Sequence, residues 1–124
     1  MRRIVVATDR SESADRAVRW AAEMAERYEA ELFVLQVVAE GASARLPELT
    51  AFAETLGARA RVETDADPSA AIVRVAGEEK ADVLVVGNVG MSGRREFLLG
   101  NVPNRVSHNA PCTVVIVDTS SDRR

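Results

Sequence analysis

Short apolar runs alternate along this chain with longer stretches in which apolar residues return every three or four positions. The first run, Ile4-Val5-Val6-Ala7, is too short for a helix and rich in β-branched residues, so it predicts a strand buried on both faces. Thr8-Asp9-Arg10-Ser11 breaks it. From Ser13 onward, Ala14, Ala17, Val18, Ala21, Ala22, Ala25 and Tyr28 recur at helical spacing. Ser11 or Ser13 is the expected N-cap, with Glu12 and Asp15 near the positive end of the helix dipole. Leu32 to Val38, interrupted only by Gln36, predicts a second central strand. Pro47 to Leu56 aligns Leu49, Phe52, Ala53 and Leu56 on one helical face, and Gly57 stops it. Arg59 to Thr64 alternates polar and apolar residues, the pattern of an edge strand with one solvated face.

Asp67-Pro68 supplies an N-cap followed by proline at the first helical position, and Ala71, Ile72, Val75 and Ala76 then point one way. Gly77 weakens that helix without necessarily ending it. Val83 to Val86 is a third buried strand, Asn101 to about Asn109 a last helix that must stop before Pro111, and Thr113 to Val117 the final strand. Strictly alternating strands and helices call for a parallel sheet covered by helices on both faces, joined by right-handed crossovers. Five strands and four helices make one domain over residues 1–119, and residues 120–124 form a polar tail. In open sheets of this kind a ligand lies beyond the carboxyl ends of the strands, where the strand order reverses. The positions to examine are therefore Asp9, Val38 and Gly87.

Composition narrows the function. With 124 residues, 47% hydrophobic and 28% charged, the chain fits an ordinary globular domain that buries a single core. Its formal net charge is −3, and its basic residues, arginines but for Lys80, are scattered along the chain, which argues against nucleic acid as the main partner. No apolar stretch reaches membrane-spanning length, and Met1-Arg2-Arg3 leads straight into a strand, so no membrane partner and a cytoplasmic location are expected. One cysteine, Cys112, excludes an intrachain disulfide and a cysteine-cluster metal site, and reads as a small core residue.

Chemistry concentrates after the third buried strand. Gly87-Asn88-Val89-Gly90, nine further residues and then Gly100-Asn101 at a helix entry bring backbone N–H groups within reach of an anion, with the helix dipole behind them. This predicts bound phosphate. No lysine follows the last glycine, so the loop is not the phosphate loop of hydrolysing NTPases, and nucleotide binding is favoured over cleavage. Arg94 and Arg95 lie within the span, as phosphate partners or as an ordinary solvated pair. Asp9 ends the first strand, where a carboxylate either accepts from a ribose or caps the turn. His108, the one histidine, falls in a helix's last turn, where the dipole favours a cation, and Ser11 and Ser92 have no base to activate them. No catalytic residue is assigned.

Ile4-Val5-Val6-Ala7-Thr8-Asp9-Arg10-Ser11 before an alanine-rich helix, the Gly87-x2-Gly90-x9-Gly100-Asn101 pattern, and the run Val106 to Val117 together resemble the universal stress protein family, in particular its ATP-binding branch. The likeness runs end to end. It implies a Rossmann-like, adenine-nucleotide α-hydrolase-like fold with strand order 3-2-1-4-5. It implies that Ala7 and Asp9, with Thr8 between them, line the nucleoside end and that the backbone of Val37 meets adenine. Val86 and Val89 would flank base or ribose. Gly87, Gly90, Gly100, Asn101 and Val102, with Asn88 and Arg94, would hold ribose and phosphates. The implied ligand is ATP or AMP, with magnesium an option beside ATP, and the implied assembly is a homodimer through Thr113 to Val117.

The chain departs from the family pattern at three places. Asn101 replaces a serine or threonine and has no hydroxyl to offer a metal, Pro103 removes one N–H from the first turn of the last helix, and the segment after the second strand is short. The leading expectation is a nucleotide-binding module of regulation or stress response. Its rivals are a slow ATPase or nucleotidyl-transfer enzyme of the same fold, and a nucleotide-free dimerisation scaffold.

Overall fold

A computed structural model describes residues 1–38, 46–88 and 101–119. The elements run β1 (Arg3–Thr8), α1 (Glu12–Tyr28), β2 (Glu31–Val38), α2 (Leu46–Thr55), β3 (Arg59–Thr64), α3 (Pro68–Glu78), β4 (Val83–Gly87), α4 (Asn101–Asn109) and β5 (Thr113–Val117). All pairings are parallel, and the sheet order is β3-β2-β1-β4-β5, as the family resemblance implied. The predicted strands and helices therefore all form.

Local signals set the boundaries. Ser11 is the N-cap of α1, its hydroxyl accepting from the Ala14 N–H at 3.2 Å. Asp67 caps α3 ahead of Pro68, and Gly57 takes a left-handed φ of 66° just past α2. Among the described residues no helix is long and apolar enough to cross a membrane.

Alternation along the strands divides the core in two. Ile4, Val6, Leu32, Val34, Val83 and Val85 face α1 and α2, meeting Ala17, Val18, Ala21, Leu49 and Ala53. Val5, Ala7, Phe33, Leu35, Leu84 and Val86 face α3 and α4, meeting Ile72, Val75, Ala76, Val102 and Val106. The strands nearest the centre are thus covered on both faces, as their unbroken apolar runs require.

One strand departs from its pattern. The polar face of β3, expected to lie open to solvent, is held against the end of α3: Arg61 Nε donates to Glu63 at 2.7 Å and its Nη1 to Glu79 at 2.8 Å, while Nη2 pairs with Glu78. Arg74 adds a bond to Glu63 at 3.3 Å. Burial alone would lower the Arg61 pKa, but its three carboxylates raise it well above the usual arginine range. Glu63 is held below its ordinary pKa, first by the hydrogen bond from Arg61. A helix end carrying two glutamates sits over this strand, and sequence alternation does not reveal such a neighbour.

Candidate functional site

The strand ladder opens where the order reverses. Pairing between β1 and β4 runs from Ile4–Val83 to Val6–Val85 and stops, while β1 follows β2 as far as Thr8–Gln36 and β4 follows β5 as far as Gly87–Val117. Ala7-Thr8 and Val86-Gly87 thus flank a crevice at the carboxyl edge of the sheet. Ala7, Val86 and Val102 are buried in one apolar cluster and Val37 packs against it, so four of the expected site residues belong to the core on the α3/α4 side of the sheet. Of the four, Val37 is the one with appreciable open surface, at the carboxyl end of β2.

The turn after β1 is closed by its own side chains. Thr8, buried, accepts at Oγ1 from the Arg10 N–H at 2.9 Å, and Asp9 Oδ1 accepts from the Ser11 N–H at 2.9 Å. Asp9 therefore does cap the turn. Its second carboxylate oxygen makes no hydrogen bond among the described residues, which leaves an acceptor for a ligand hydroxyl or amine. Arg10 stands at φ 70°, with Nη1 on Asp15 at 2.6 Å and its guanidinium 3.5 Å from the centre of the Phe52 ring. This joins the turn to both α1 and α2.

At the end of β4 the structure assigns Gly87 and Asn88 contacts that the sequence did not reveal. A Cβ on Gly87 would lie 3.1 Å from Thr119 Oγ1 and 3.3 Å from its Cγ2, so the close approach that glycine permits on that side is made by Thr119. The Asn88 amide Oδ1 accepts from the Thr119 N–H at 2.8 Å, its Nδ2 donates to Asp118 at 3.4 Å, and its backbone N–H bonds the Val117 carbonyl at 2.9 Å. Arg16 Nη1 of α1 donates to the Thr119 carbonyl at 3.0 Å. Thr119 and Arg16 were absent from the expected site. The signal for them is a glycine ending one strand, paired in register with the last residue of a neighbouring strand whose next residues include a threonine.

Val89, Gly90, Arg94 and Gly100 lie outside the described residues, and Asn101 opens α4. Pro103 is buried in the first turn of that helix, where a missing N–H breaks no helix bond. Two grooves among the described residues lie away from the crevice. One, of about 620 Å³, runs between the carboxyl ends of α1 and α2, and another, of about 390 Å³, between α3 and α4.

No activated nucleophile stands among the described residues. Ser11 is occupied in capping, Ser69 donates to Asp67 at 2.8 Å, and His108 is exposed at the end of α4. Burial, and then the charge of Asp82, push the Cys112 thiol up, away from thiolate.

A parallel sheet of order β3-β2-β1-β4-β5 with helices on both faces, its ladder ending early at the central switch point, places the chain in the doubly wound α/β class of fold. The model of the universal stress protein family matches residues 1–65 and 40–118. Universal stress protein MJ0531 of Methanocaldococcus jannaschii is 31% identical over 94% of this chain and 81% of its own length. The chain belongs to the universal stress protein family. A crystal structure of a universal stress protein in complex with cAMP is 30% identical, with a TM-score of 0.75 over 96% of this chain and 98% of that one. A universal stress protein of Archaeoglobus fulgidus in complex with dAMP, 23% identical with a TM-score of 0.69 over 95% of this chain and 98% of that one, shares the fold.

Proposed function

We propose that this protein binds an adenine nucleotide, ATP or AMP, in the crevice between β1 and β4 and acts as a cytoplasmic regulatory module of the stress response. One observation carries the reading: the β1–β4 ladder stops at Val6–Val85, short of the ends of both strands, beside the α3/α4-side core to which Ala7, Val37, Val86 and Val102 belong. Adenine lies beside that core, Asp9 accepts from the ribose, and Gly87, Asn88 and Val89 lead into the phosphate end. Gly90, Arg94, Gly100 and Asn101 hold phosphate there, on the strength of the glycine spacing and the helix that starts at Asn101. The complex of cAMP with a relative of 30% identity supports adenine as the base. Two copies pair through β5, one of the two outer strands of the sheet.

Calorimetric titration of the purified chain with AMP, ATP, cAMP and GTP tests this. Adenine nucleotides are expected to bind more tightly than about 1 mM, near −4 kcal/mol, with GTP weaker. Asp9→Ala should weaken AMP by about tenfold, the loss of one charge-assisted hydrogen bond. If every nucleotide binds more weakly than about 1 mM, the reading is wrong.

A further inference from the structure

The residues that follow β5 are tied to the start of the segment that would carry phosphate, and they are tied at several points. Thr119 is 1% exposed, sits on the bare Cα of Gly87, donates its N–H to the Asn88 side chain and receives Arg16 of α1 on its carbonyl. Asp118 takes the other end of the Asn88 amide. No buried side-chain polar atom among the described residues is left without a partner, so the arrangement is saturated.

We propose that Asp118-Thr119 is a clasp that fixes the backbone of Gly87-Asn88 for the phosphate end of the ligand. Thr119 and Arg16 are then positioning residues, acting through Gly87 and Asn88 without touching the ligand. The physical reason is directional. Gly87 has no side chain of its own to limit its backbone, and the Asn88 N–H is already held by the Val117 carbonyl, so what must be fixed before binding is the direction in which the chain leaves β4. Thr119 supplies the missing side-chain bulk from the segment that follows β5. The clasp lies on the α1 side of β4, whereas Ala7, Val37, Val86 and Val102 belong to the core on the α3/α4 side, so loosening it disturbs the phosphate end and leaves that core intact.

The inference rests on the nucleotide reading above, and its test separates the two. Adenosine, AMP and ATP are titrated against the unaltered chain, Thr119→Ala, Thr119→Ser, Arg16→Ala and Arg16→Lys. Thr119→Ala and Arg16→Ala should each weaken AMP and ATP by about fivefold, one net hydrogen bond or its packing equivalent, and adenosine by less than about twofold. Thr119→Ser and Arg16→Lys, which keep a hydroxyl and a cationic donor, should restore most of the loss. A general loosening of the domain would weaken adenosine as much as AMP, and that result overturns the clasp. Unchanged AMP and ATP affinity in both alanine variants overturns it too, while leaving the nucleotide site standing. Failure of the unaltered chain to bind any of the three overturns the site and the clasp together.

Discussion

Arg10 holds a backbone φ of 70°, a region that costs a non-glycine residue about 1 kcal/mol. Its contacts with Asp15 and Phe52 offset that cost. Arg10→Ala removes the contacts and keeps the strain, whereas Arg10→Gly removes both. The glycine variant should therefore be the more stable of the two by about 1 kcal/mol, read from urea unfolding midpoints. Gly87 tests the opposite situation. Thr119 cannot retreat from an added methyl, because Asn88 and Arg16 grip it from two sides, so Gly87→Ala should cost about 1–2 kcal/mol. Most of that cost should vanish in a Thr119→Ala background, and a double-mutant cycle reads the coupling directly. These two residues also mark the limit of sequence reading at the site. Strand ends such as those before Asp9 and at Gly87 are legible because they follow from local apolar runs. Thr119 is not, since its importance depends on a bare Cα 32 positions away that only register brings beneath it.

At the level of elements, start and stop residues were readable for the same reason. Ser11, Asp67-Pro68 and Gly57 act on backbone groups within a few positions. The underside of β3 was not, because Arg61 meets Glu78 and Glu79 only once α3 has packed back along the edge of the sheet. That ion cluster makes the edge strand sensitive to acid. Glu63 has a folded pKa below its ordinary value of 4.5, so the stability it contributes is fully present above that value and is lost as pH falls through the folded one. Arg61→Met should cost about 2 kcal/mol at pH 7, where three carboxylates are left without their shared partner. The gap between the unaltered chain and this variant should narrow as pH drops from about 6 to about 3, measured by urea unfolding across that range. A gap independent of pH would mean that the strand is held by packing alone.

For the whole molecule, the sheet has two outer strands and treats them differently. β3 carries its ion cluster on the face toward α3, whereas β5 presents Ile116 at 45% exposure. Charge on β5 should therefore oppose the proposed pairing of two copies: Ile116→Lys should sediment as a monomer where the unaltered chain sediments as a dimer. The central position of β1 has a different consequence, one that belongs to the chain's synthesis. β1 is made first, its partnership with β2 follows soon after, and its other flank waits for β4, so that Ile4 meets Val83 only when most of the chain exists. At the usual 5–20 residues per second, the delay is on the order of 4–16 s. For that interval the newborn chain carries one unpaired strand flank whose four central residues, Ile4 to Ala7, are apolar, open to any passing polypeptide. Ribosome speed between these two strands thus sets how long the nascent protein is vulnerable to aggregation, and a slow codon placed there would lengthen the exposure before any ligand could matter.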